Sequence, residues 1–189
     1  MRDLSTWLKG GDLRSDGASS EVAAFILNNL ELLDELVEGF NSTEEVVRGR
    51  TADTLEKIAR SQPEQVLEHL PVIIQAALED PVPMVRFHLA MTLGHLSIFE
   101  ENRNEISHVL MELLDDTSVF TMSWAIASLC IVARLYPQNE EQITQAIAKL
   151  SNHNSVAIRT RVRKAMNALT HPESPLPKGW VKSERLQHL

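Results

Sequence analysis

Four segments of fourteen residues align beneath one another: VVRGRTADTLEKIA (46 to 59), MVRFHLAMTLGHLS (84 to 97), VFTMSWAIASLCIV (119 to 132) and AIRTRVRKAMNALT (157 to 170). With Val47, Val85, Phe120 and Ile158 taken as equivalent, the intervals are 38, 35 and 38 residues. The last three are each preceded by a shorter apolar segment and a polar turn: PVIIQAALED before Pro81, ISHVLMELLDD before Thr117 and ITQAIAKLSNHN before Ser155. A unit of this length cannot bury its own apolar face, so neighbouring units must stack and share one elongated core. No other feature of the chain restricts its fold as much.

The spacing within the units is helical. Val22, Ile26, Leu30, Leu33, Val37 and Phe40 step by three and four, which predicts one helix ending near Gly39. Ser42 to Glu45 and Ser61 to Glu64 have capping-box spacing, the second with Pro63 in its first turn, and two helices are expected to start there. No stretch alternates with period two and no hairpin dipeptide occurs, so the fold class is all-α. The uncharged run Thr117 to Ala133 reaches only the lower limit of a membrane span and carries five Ser and Thr residues; it is expected to be a helix packed on both sides.

The sequence has 189 residues with a net charge of -8, unevenly spread. Seven acids and no Lys or Arg lie between Glu21 and Glu45, whereas Val156 to Leu189 holds seven Lys and Arg against two Glu. An acidic whole disfavours general nucleic-acid affinity, while the basic end keeps a local version open. Cys130 is the only cysteine, which excludes an internal disulfide. The first twenty residues lack a signal-peptide core, and a cytoplasmic location is expected.

The stretch LPVIIQAALEDPVPMVRFHLAMTLGHLS, Leu70 to Ser97, resembles the HEAT-repeat family: a Leu-Pro helix, an Asp-Pro turn, then Val-Arg opening a second helix. The likeness covers roughly Glu21 to Leu169. It implies a right-handed α-α superhelix, a solenoid of about four helix pairs. The second helices (44–60, 83–97, 118–135 and 155–169) would line its concave side. It also implies that Arg86, with Arg48 and Arg159 at equivalent places, reaches turn acids or carbonyls of adjacent repeats. The third unit departs from the pattern, having Phe120-Thr121 in place of Val-Arg. Residues 1–20 are expected to form an N-terminal cap, 21–170 the repeat domain, and 171–189 a proline-containing tail pinned by Trp180 to the last pair.

Catalytic chemistry finds little footing in the sequence. No two histidines stand three or four apart, and no His-Glu dipeptide occurs, which disfavours the di-iron enzymes built on this fold. Trp124 is followed one turn later by Ser128 and not by Asp, unlike the HEAT-like DNA glycosylases. No phosphate loop or nucleophile frame is present, Cys130 reads as a core residue, and no catalytic residue, cofactor or metal is expected. The expected function is a non-enzymatic protein-protein scaffold with a protein partner and no membrane. The alternative is nucleic-acid binding through the basic C-terminal repeat. Outward positions expected on the concave side are Arg50, Asp53, Lys57, His88, Met91, His95, Ser123, Arg161 and Lys164. His88, Met91, His95, Trp124, Arg161 and Lys164 are the candidate contacts.

Overall fold

The computed structural model describes residues 3–189, whose regular elements are all helices, with no strand among them. The first two residues of the expected 1–20 cap segment lie outside the described residues. The elements are α1 (Leu4–Leu8), α2 (Ser19–Leu27), α3 (Leu33–Val37), α4 (Glu45–Ala59), α5 (Pro63–Leu67), α6 (Leu70–Glu79), α7 (Pro83–Leu96), α8 (Arg103–Glu112), α9 (Val119–Leu135), α10 (Glu140–Ala148) and α11 (Val156–Thr170). Helices α4, α7, α9 and α11 pack successively side by side as an inner layer. Helices α6, α8 and α10 each pack against the inner helix that follows, and α2 against α4. This is the solenoid of helix pairs, and the inner helices start and stop within two residues of their expected bounds.

The apolar run before Gly39 is not one helix. It breaks into α2, a 3-10 turn at Leu30–Leu32, α3 and a second 3-10 turn at Glu38–Asn41. Asn28 and Asn29 sit at the break, and their side-chain amides donate back to the carbonyls of Ala24 and Phe25, both at 2.8 Å. Such local side-chain bonds compete with the backbone ladder and end the helix, although the apolar face continues across the break. Neither predicted capping box forms. Ser42 Oγ accepts from the Glu44 amide and α4 starts after it, while α5 starts on Pro63 without a side-chain cap.

The arginines of the Val-Arg pairs tie the repeats together. Arg48 Nε donates to Asp80 Oδ2 at 2.7 Å, and Arg86 Nε donates to Asp116 Oδ2 at 2.5 Å, each reaching the turn of the next unit. Arg86 also donates to the Asp80 carbonyl, and Arg159 to the carbonyls of His153 and Asn154. Each aspartate in turn accepts an amide two residues on, at Val82 and Ser118. The Asp-Pro-x-Pro turn therefore fixes the acceptor that the preceding repeat's arginine needs.

The equivalence drawn from the sequence slips by one residue in the third unit. Thr121 is fully buried in the place held by Val47, Val85 and Ile158, whereas Phe120 is 68% exposed. The buried set thus recurs at intervals of 38, 36 and 37 residues (47, 85, 121, 158). Met122 takes the arginine's place, which is why the ladder is interrupted there. The uncharged run 117 to 133 is largely α9, flanked by α7 and α11, and no helix among the described residues is long and apolar enough to cross a membrane.

Both ends fold back on the array. In α1, Asp3 caps the helix and Leu4 and Leu8 are buried against the first pair. At the other end, the Arg134 guanidinium donates to the carbonyls of Ala168, His171, Pro172 and Ser174. Beyond it Trp180 is buried and lies under Arg161 of the last pair. The tail does not stop at the last pair. It crosses the inner layer to the first, where Ser183 Oγ and the Glu184 amide both donate to the Arg60 carbonyl and Arg185 pairs with Glu64.

Candidate functional site

With the register corrected, the residue three beyond each buried anchor forms a row along the inner layer: Arg50, His88, Trp124 and Arg161. The first is not an outward group. Arg50 is 3% exposed and donates to the carbonyls of Leu8 (2.9 Å), Lys9 (3.2 Å), Gly10 (2.7 Å) and Asp12 (3.3 Å). It has no earlier inner helix to face, so the loop GGDLRSDG closes over it. Gly17 permits this with φ of +53°, and a Cβ there would lie 2.4 Å from the guanidinium carbon. Arg50→Ala is expected to detach the loop and α1. The cost is about 2 kcal/mol, limited by that local unit opening alone. Faster amide exchange over residues 4–17, with the remaining helices still protected, is the measurement that checks it.

Asp53, Met91 and His95 were also expected to face outward, and the structure buries all three, at 3%, 3% and 1% exposure. They lie where neighbouring inner helices press together, one to two turns further along. His95 Nε2 donates to Glu56 Oε1 at 3.0 Å, and Glu56, fully buried, also accepts from Arg60 Nε (2.9 Å) and Nη2 (2.5 Å). Burial pushes the Glu56 carboxyl up, but the hydrogen bonds from His95 and Arg60 outweigh it and hold the group at about 2. Sequence reasoning missed this network. Its only written trace is an acid and a histidine 39 residues apart on successive inner helices.

Asp53, Glu56 and His88 bring one ligand atom each within 4.8 Å of one another, a spacing that could hold a metal. The donors are already engaged. Both Glu56 oxygens are taken as described, Asp53 Oδ2 accepts from Lys57 at 2.6 Å, and Lys57, Arg60 and Lys182 crowd the same cleft. A dication would meet three cations and a saturated carboxylate, so the cluster is an ion-pair network.

Trp124, Arg161 and Lys164 do converge. With Phe120, Ser123 and Thr160 they line a cleft of about 400 Å³ between α9 and α11. Arg161 Nε donates to the Ser123 carbonyl at 2.9 Å, and its guanidinium lies 5.2 Å from the Trp124 ring centroid and 4.3 Å from that of Trp180. Burial lowers its pKa to about 10, which leaves it charged at neutral pH. The Lys182 ammonium covers the Trp124 ring at 4.7 Å. Phe120 continues the aromatic surface to Phe87, 5.9 Å away, which tilts over His88 at 4.2 Å. His88 itself stands outside this cleft, on the α4 side. The Cys130 thiol is fully buried and pushed up to about 12 by that burial, so it offers no nucleophile.

Comparisons place this architecture. A crystal structure of computationally designed armadillo repeat proteins for modular peptide recognition superposes with a TM-score of 0.62 at 18% identity, covering 87% of this chain and 80% of that one. A designed armadillo repeat protein in complex with the peptide (KR)4 gives 0.64 at 17% identity, covering 88% and 80%. At this identity they establish the fold. No curated protein matches the chain. The model of HEAT repeats matches residues 31–130, more than half of the sequence, and with it the turn aspartates, the Val-Arg pairs and the stacked inner helices described above: the chain belongs to the HEAT-repeat family.

Proposed function

We propose that the protein is a non-enzymatic interaction module that holds an extended segment of a partner protein at the α9–α11 cleft. The observation that carries this reading is Phe120, 68% exposed beside Trp124, Arg161 and Lys164. An aromatic ring left in water at the mouth of a cleft costs the free protein and is recovered when a partner covers it. The two cations at the rim select a segment with a carboxylate near its apolar anchor. Trp124, Arg161 and Lys164 are the contacts, and Met91 and His95, being buried, are not among them. The designed armadillo proteins of the same fold were made for peptide recognition, which supports a peptide-like ligand here.

The test is selection from a display library of random 16-residue peptides, followed by affinity measurement on the full chain. Phe120→Ala, at a site where little packing is lost, is expected to weaken the enriched peptides at least about tenfold, near 1.4 kcal/mol, with no change in unfolding midpoint. Equal binding to Phe120→Ala and the parent would reject the cleft. The stacked Trp124, Arg161 and Lys182 favour single-stranded nucleic acid as the second reading. Micromolar oligonucleotide binding that falls steeply with salt and vanishes in an Arg161→Glu, Lys164→Glu variant would establish that one instead.

A further inference from the structure

Neither end of the chain is needed to complete a helix pair, yet the two ends meet. The Arg50 clasp lays the loop 10–17 over the start of the inner layer, and the bonds of Ser183 and Glu184 to Arg60 bring Lys182 to the same place. Between them, with α4 and α7 as floor, is a cleft of about 380 Å³, distinct from the one at Phe120. Its polar wall is Arg14, Asp16, Asp53, Lys57, Arg60 and His88, with Lys182 across it.

The charges in this cleft do not cancel. Four cations, Arg14, Lys57, Arg60 and Lys182, face Asp16 and Asp53, with Glu56 behind, in a protein whose net charge is -8. Lys57 is held by Asp53 at 2.6 Å and Arg60 by Glu56. The other two are held less firmly. Lys182 forms no ion pair among the described residues and rests on the Trp124 ring, whereas Arg14 pairs with Asp12 at 3.5 Å and keeps its side chain 93% exposed. Burial lowers the Lys182 pKa, and the neighbouring cations Arg60 and Lys57 add to this against the pull of Glu56 and Asp53. In the same wall His88 Nδ1 is buried with no hydrogen bond, 3.5 Å from Asp53 Oδ1. A buried polar atom without a partner calls for a guest that supplies one.

We propose that this cleft binds a phosphoryl group, carried either by a small metabolite or by a phosphorylated residue of a partner. A dianion with three acceptor oxygens can take donors from opposite walls at once, which a single carboxylate does less well, and Lys182 and Arg14 stand on opposite extensions of the chain. The volume exceeds that of phosphate alone, and Phe87 and Met84 form an apolar side for whatever bears it. This site does not depend on the Phe120 cleft and would survive the loss of that reading.

The test is an amide-shift titration of the full chain at low salt with inorganic phosphate and with a neutral peptide carrying one phosphoserine. Saturable shifts are expected at residues 12–17, 53–57 and 182–184. Lys182→Met is expected to weaken binding at least about tenfold and Arg14→Ala about threefold, both with unchanged unfolding midpoints. The source follows from the two arms: a peptide at least about tenfold tighter than phosphate assigns the group to a partner, and equal affinity assigns it to a free metabolite. An absence of shifts at about 20 mM phosphate, or the same shifts in the Lys182→Met, Arg14→Ala double variant, overturns the proposal. So does a response to Mn2+ that Asp53→Asn removes, which would make the cleft a metal site.

Discussion

Leu93→Ala lowers the free energy of unfolding by about 3 to 5 kcal/mol, the upper part of the range for such a truncation, in urea denaturation at neutral pH. Leu93 is fully buried in the last turn of α7, an inner helix with neighbours on both flanks, α4 and α9. The void left by the lost side chain cannot close by letting the helices slide together, because they already touch. A Cβ on Gly94 would lie 2.5 Å from Ser128 Oγ, and Ser128 itself donates to the Ala90 carbonyl at 2.7 Å. The residual cavity therefore adds to the lost transfer free energy. Leu78→Ala on α6, where the leucine is 38% exposed, serves as the control and changes stability by less than about 1 kcal/mol. A Leu93 effect no larger than the control would mean that α7 is not enclosed and that the repeats do not share a core.

Leu93 is legible in the sequence because its position follows from period and phase alone, eight residues after Val85 as Leu55 is after Val47. The same holds for Arg48 and Arg86, whose acceptors Asp80 and Asp116 stand one repeat away in a turn that the prolines define. The errors arise where one residue type can satisfy the pattern and another satisfies the packing. In the third unit a hydrophobic count selects Phe120, but the buried place is held by Thr121 and the phenylalanine is left on the surface. Helix α2 ends at Asn28 and Asn29 because of side-chain bonds that leave the apolar spacing untouched. The candidate contacts divided on the same ground. Trp124, Arg161 and Lys164 converge, while Met91 and His95 point between helices, a matter of a turn that depends on how closely neighbours approach. Least legible was the meeting of the termini. The pairing of Arg185 with Glu64 spans 121 residues and leaves no periodic trace, so a cleft built from loop 10–17 and the tail could be found only from the folded chain.

Acid unfolds this protein in two overlapping windows. His88 is depressed to about 4, first by burial and then by Lys57 and Lys182, against the opposing pull of Asp53 and Glu56. With its ordinary value at 6.5, the unfolded chain takes up this proton well before the folded one, so stability is full above pH 6.5 and falls as the pH drops to about 4. A shift of this size corresponds to about 3 kcal/mol. Glu56, moved from 4.5 down to about 2, stabilises the fold above pH 4.5 and withdraws a further contribution of about 3 kcal/mol as the pH falls from there towards 2. Each loss has its own remedy, which separates the two groups. His88→Gln, which cannot charge, flattens the decline between pH 6.5 and 4 and leaves the lower window in place. If urea midpoints of the parent and His88→Gln run parallel from pH 7.5 to 4, His88 is not an imidazole held neutral by burial. Preserving the decline below pH 4.5 in a chain lacking His95 and Arg60 would equally show that their bonds to Glu56 are not what holds that carboxylate ionised.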